Sequence, residues 1–232
     1  MSLTTSNVSY MAGSRRIDGY LARPEEAGSF PAVIVVHEAY GLNDNMREIA
    51  RRFAELGYVA LAVDLFTARN QALCMFRYLS GMLFNPLRHS GISELQAALT
   101  YLSDQPEVDR ERVGAIGFCM GGSLSIAWAC TDARLKVIAP FYGMNPRSEE
   151  AVARMCPVVG SYPDKDFTTS RGKKLDVLLD RYAIPHDIKI YPDTKHSFFN
   201  DQGRHYAAAA SQDAWERIQR FFGERLGSSL RG

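Results

Sequence analysis

The sequence predicts an α/β architecture, a mostly parallel central sheet with helices on both faces, and three observations predict it. Short β-branched apolar runs alternate with longer amphipathic segments along the chain. Those runs are apolar almost without interruption, as strands buried on both faces require. A glycine–x–cysteine–x–glycine pattern at residues 117–121 joins one run directly to a helical segment, the punctuation of a sharp strand-to-helix turn.

The opening VSYMAGSRRIDGYLARP alternates in polarity and predicts an antiparallel edge hairpin. PAVIVVHE follows as the first fully buried strand. NDNMREIARRFAELGY begins with Asn and Asp, carries Met46, Ile49, Ala50, Phe53 and Leu56 at helical spacing, and stops at Gly57. YVALAVDLF is the next strand. Residues from about 66 to 87 fit neither period and read as an irregular insertion, the kind of segment that often covers a substrate site. ISELQAALTYLSDQ then predicts a helix, VGAIGF a strand, and GSLSIAWAC a helix. LKVIAPFYG and PVVGSY are strands, SRGKKLDVLLDRYA a helix, HDIKIYP the last strand, and HYAAAASQDAWERIQRFFGERL a terminal helix.

Residues 1–232 show no linker-like stretch, repeat or low-complexity tract, so one domain is expected. Basic and acidic residues number 27 and 26, a net charge of +1, with no basic stripe interleaved with aromatics. Nucleic acid is therefore not an expected partner, and a small molecule is. The N-terminal sequence lacks the order of a secretory signal and no apolar run reaches membrane-spanning length, which gives the expectation of a cytoplasmic protein without a membrane partner. Cys74, Cys119, Cys130 and Cys156 are widely separated, with neither a disulfide framework nor zinc-ligand spacing. All four are expected as thiols, and no metal or other cofactor is expected.

The glycines flanking Cys119 force its side chain outward at the start of a helix, where unpaired N–H groups favour a thiolate. Cys119 is thus the candidate nucleophile. A base and a group to orient it are then required. His196 lies in the loop after the last strand, and Asp164 and Asp166 lie just past the strand PVVGSY. Nucleophile, acid and histidine in that chain order are the order of the α/β-hydrolase fold. Residue spacing does not separate the two aspartates, one of which is expected to cap the following helix. His89, His186 and His205 stand in polar contexts and read as solvated, and His37 as a satisfied core histidine. Oxyanion donors are expected from the N–H groups of Met120, directly after the nucleophile, and Ala39, after the strand PAVIVVHE. Glu38 points towards the same region as a base or thiol partner. His37 and Glu38 do not form the HExxH pattern of a zinc site.

These residues carry a resemblance. VVHEAYGLNDNMREIARRFAELGYVALAVDLF, GFCMGG and YPDTKHSFFND are similar to segments of the dienelactone hydrolase family, and the likeness spans most of the chain. The resemblance implies Cys119 as nucleophile, His196 as base, Asp166 as orienting acid with Asp164 the fallback, and Glu38 as a group that switches the thiol between resting and reactive states. Dienelactone-cleaving members carry an arginine shortly after the histidine, where Asn200 stands here; a second family arginine is matched by Arg77. Without the first arginine, neutral substrates are expected to outperform matched carboxylates.

A tetrahedral adduct on sulfur collapses readily to thiolate, so a cysteine nucleophile suits esters with good leaving groups, enol lactones and thioesters. Tyr40, Phe76, Tyr78, Tyr142 and Phe198 are candidates to line an apolar or aromatic substrate site. The expected function is cofactor-free hydrolysis of activated esters or lactones through an acyl-cysteine. Activated phosphotriesters are a second enzymatic reading, and a binding or regulatory protein on a hydrolase scaffold is the reading from another class.

Overall fold

The computed structural model describes residues 2–227. The alternating opening segment forms β1 (Leu3–Ala12) and β2 (Arg15–Pro24), an antiparallel pair. Six further strands follow: β3 (Phe30–Val36), β4 (Val59–Asp64), β5 (Val108–Phe118), β6 (Leu135–Phe141), β7 (Val158–Pro163) and β8 (His186–Tyr191). Together they make one sheet in the order β1-β2-β4-β3-β5-β6-β7-β8. From β4 to β8 every pairing is parallel, so all six of these strands end at one edge.

Helices occupy both faces, as the apolar runs predict. Val33, Val35, Ala60, Ala62, Ile116 and Ala139 face α1 (Asp44–Glu55) and α6 (Ala208–Leu226). The alternate residues Ile34, Val36, Leu61, Val63, Ala115 and Ile138 face α3 (Ser90–Ser103), α4 (Met120–Ala129) and α5 (Thr169–Arg181). This period of two within each strand sorts the core into two apolar layers. Asn43 caps α1, accepting the Met46 N–H at 3.1 Å.

Two expectations are corrected. The segment read as irregular contains a helix, α2 (Gln71–Phe84), capped by Asn70. Only Cys74 and Tyr78 of α2 are buried, while Leu73, Phe76, Leu79, Leu83 and Phe84 face outward. A helix that exposes its apolar residues offers no polar face to contrast with the core, which is why its period was hidden. The second correction is His89, which is buried and caps α3 by accepting the Gly91 N–H at 3.2 Å. A 3-10 turn, which the residue pattern does not predict, spans Glu149–Arg154 between β6 and β7.

Candidate active site

The elbow sits where β5 ends. Cys119 has φ 54° and ψ −110°, a conformation strained for any residue with a Cβ. The strain is fixed from both sides: Cys119 N–H donates to Phe141 O at 3.0 Å, and its carbonyl accepts from Ser123 N and Ser123 Oγ at 3.0 and 3.1 Å. A Cβ on Gly117 would strike the Gly121 carbonyl, and one on Gly121 would strike the Val36 carbonyl. Strand, elbow and α4 therefore approach one another to a distance only glycine permits.

Loops after β7 and β8 bring the acid and base together. His196 Nδ1 lies 2.8 Å from Asp166 Oδ2, and the Asp166 side chain is almost fully buried. The other Asp166 oxygen accepts from Thr168 N and Thr168 Oγ1, both at 2.6 Å, which fixes the carboxylate plane. An Nδ1–H directed at a carboxylate leaves Nε2 as the basic nitrogen. Asp164 is turned elsewhere: its Oδ1 accepts the Thr194 N–H at 3.1 Å and ties the two loops together.

Glu38 is buried at the end of β3. Its Oε1 accepts from Tyr142 Oη at 2.8 Å and Ser197 Oγ at 3.0 Å, while Oε2 is buried without a hydrogen-bond partner. Tyr142 and Ser197 both have positive φ, 38° and 63°. Three strained residues, Cys119 among them, thus converge on one carboxylate and one thiol, a concentration of strain typical of functional sites. Tyr142 also packs on the His196 ring, with centroids 4.8 Å apart, and Phe167 stacks on it at 5.3 Å. Ser197, Thr168 and Phe167 had no signal in the sequence beyond their proximity to His196 and Asp166.

The thiolate expectation is also corrected. Burial and the Glu38 carboxylate push the Cys119 thiol up to about 12, and Asp166 adds to the rise; the Met120 N–H pulls the other way but is outweighed. The resting sulfur is a protonated thiol. His37, as expected, is a core histidine: it is fully buried, Nδ1 lies 2.5 Å from Glu38 O, and Nε2 accepts the Leu65 N–H at 3.1 Å. Burial lowers its pKa.

The remaining candidates are dispersed. The Ala39 carbonyl accepts from Gln71 Nε2, linking the turn after β3 to α2. Tyr40 and Phe76 are exposed. Arg77 is bound by Glu94, which Arg15 also engages, so it is not a free cation. Tyr78 is fully buried in that same cluster. Phe198 is fully buried against Phe141, Tyr142 and Tyr191, a core position that does not line the site. Asn200 is nearly buried, with Oδ1 accepting the Gln202 N–H at 3.0 Å in its own loop.

The dienelactone hydrolase family model matches residues 17–226. The chain belongs to the dienelactone hydrolase family. Membership makes it an ester-bond hydrolase. Among named relatives, the "Putative carboxymethylenebutenolidase" of Saccharolobus solfataricus is 31% identical, covering 91% of this chain and 95% of its own. Among solved structures, the dienelactone hydrolase-like promiscuous phosphotriesterase P91 from metagenomic libraries is 30% identical with a TM-score of 0.88, covering 98% of this chain and 100% of P91. The solved structure of m3DLH is 28% identical with a TM-score of 0.86, covering 97% of this chain and 99% of its own. No helix among the described residues is long and apolar enough to cross a membrane.

Proposed function

We propose that the protein hydrolyses activated carboxylic esters and lactones through an acyl-cysteine on Cys119. The observation that carries this reading is the Asp166–His196 hydrogen bond at 2.8 Å in loops at the sheet edge where the strained Cys119 elbow stands. His196 Nε2 takes the proton from Cys119 Sγ, and the sulfur attacks the carbonyl carbon. Negative charge moves to the carbonyl oxygen, which the N–H groups of Met120 and Ala39 receive. Collapse expels the alkoxide, which takes the proton back from His196. A water then gives a proton to His196, attacks the thioester carbon and displaces the thiolate, which is reprotonated. Asp166 holds the histidine tautomer and supports the imidazolium.

Glu38 has the role of a guard on the resting thiol. Its charge disfavours the thiolate until substrate is bound and His196 takes the proton, which protects a single reactive sulfur from oxidation between turnovers. Because sulfur leaves the tetrahedral adduct readily, productive collapse favours a substrate whose own leaving group departs readily, hence activated esters, lactones and thioesters.

Intact-protein mass spectrometry during turnover of an aryl ester tests the reading. The expected result is an added acyl mass located on Cys119, absent together with nearly all turnover in a folded Cys119→Ala protein. Full turnover by that variant refutes it. A second reading, promiscuous cleavage of activated phosphotriesters, is favoured by the likeness to P91 and is checked with an aryl dialkyl phosphate in the same assay.

A further inference from the structure

A cleft of about 530 Å³ lies beside the elbow. Its inner wall is α4, starting at Ser123, one helical turn from Cys119, and continuing to Ala127, one turn further. These positions are roughly 6 and 12 Å along the helix from the nucleophile. Helix α2 contributes Leu79, Met82 and Leu83, of which Leu79 and Leu83 are also exposed to solvent, and Met144, whose N–H donates to Ser123 Oγ at 2.8 Å, adds to the lining. This part of the cleft is apolar.

The rest of its lining has a different chemistry. Arg147, Arg171 and Lys174 line it, and no acidic side chain does. Lys174 pairs with Glu149 at 2.5 Å, whereas Arg147 and Arg171 have no ion-pair partner among the described residues. Asn145 also lines the cleft; its Nδ2 donates to Arg171 O at 2.9 Å, and its Oδ1 is without a partner. A cleft that begins one helical turn from a nucleophile and combines an apolar lining with uncompensated guanidinium groups is complementary to one kind of molecule, an amphiphile that carries an anion.

We propose that this cleft binds the acyl arm of the substrate, an apolar chain that ends in an anionic group held by Arg147 and Arg171. The inference rests on the acyl-cysteine reading above, since it is the acyl arm that stays attached to Cys119, one helical turn from the cleft. It reconciles two signals about charge. Glu38 disfavours an anion close to the reacting carbonyl, while Arg147 and Arg171 attract one in the cleft. The cleft begins one helical turn from Cys119, so a compact anionic ester does not reach it and an extended one can.

The test compares nitrophenyl monoesters of glutarate, suberate and sebacate with the neutral nitrophenyl esters of equal chain length. The expected ratio of anionic to neutral kcat/KM lies below one for glutarate and rises with chain length, reaching roughly fivefold to tenfold in favour of the anion for suberate or sebacate. The Arg147→Gln, Arg171→Gln double variant should lower that long-chain ratio to about one. A ratio independent of chain length, or unmoved in the double variant, overturns the subsite while the hydrolase reading stands. If no ester is turned over, the hydrolase reading fails and the cleft is judged by binding alone. Calorimetry on Cys119→Ala should then show octanoate binding more tightly than octanamide, with the difference lost in the double variant, and equal binding of the two overturns the subsite.

Discussion

Helix α4, entered through the Cys119 elbow, and helix α2 line the same cleft, and the elbow and α2 are built in opposite ways. Around Cys119 each backbone group is committed: Phe141, Ser123 and the close approach of Val36 and Gly121 fix a strained residue in place. Helix α2 buries only two of its side chains, and a cluster of Tyr78, Arg77, Glu94 and Arg15 fastens it, together with the Gln71 bond to the Ala39 carbonyl. Chemistry that depends on placement to a fraction of an ångström needs the first kind of construction. A surface that must receive a variable apolar arm is served by the second, because few contacts have to be broken for it to adjust.

If the rigid side carries the chemistry, the largest effect should come from the residue that orients the base. Asp166→Asn replaces the acceptor of the His196 Nδ1–H with an amide that can rotate to present a donor, favouring the wrong tautomer and removing charge support. Turnover should fall about a thousandfold or more. Asp164→Asn retains an oxygen for the Thr194 N–H and should change turnover only a few-fold. Steady-state kinetics on both variants decides the matter; the reverse ranking would move the acid role to Asp164.

A smaller effect is expected from Glu38, and it separates electrostatics from packing. In the wild type, iodoacetamide labelling of Cys119 should keep accelerating as pH rises through the alkaline range, with no plateau near neutrality, because the thiol titrates at about 12. Glu38→Gln removes the second-largest cause of that elevation and leaves the largest, burial. The thiol pKa should therefore fall but stay above its ordinary value, and labelling at neutral pH should accelerate about tenfold. An unchanged pH profile would show that burial alone sets the resting state.

The same contrast decides how much could be read from the sequence. The strands were legible because β-branched runs such as AVIVV and VALAV have one physical meaning in an α/β chain, and the elbow was legible because its glycines are a steric necessity. Chain order and loop position brought out His196 and both aspartates, though only the bond to Asp166 distinguishes them. Helix α2 was hidden because Leu73, Phe76 and Phe84 point outward. The protonation of Cys119 was misread because the helix N-terminus is visible in a sequence, whereas the burial of the sulfur and the nearness of Glu38 are properties of the assembled site. Phe198 and Tyr142 looked alike as aromatic candidates; one fills the core, and the other holds Glu38.

The smallest expected effect concerns the fastening of α2. Tyr78 is fully buried, and its hydroxyl lies 2.5 Å from Glu94 Oε2 and 2.8 Å from Leu65 O, while Arg15 Nη1 donates to it at 3.1 Å. Tyr78→Phe keeps the ring and its packing on Phe66, at 6.3 Å between centroids, and removes only this polar junction. Glu94 still has Arg15 and Arg77 as partners, so no charge is left stranded and the loss should be about 1 kcal/mol. For a protein of this size that corresponds to a fall in Tm of roughly 2–4 °C. The loss should be local: hydrogen exchange should quicken at the amides of α2 while those of β5 and α4 keep their protection. Equal acceleration in both regions would mean that α2 unfolds with the whole sheet, and the division between a rigid catalytic side and an adjustable α2 would have to be abandoned.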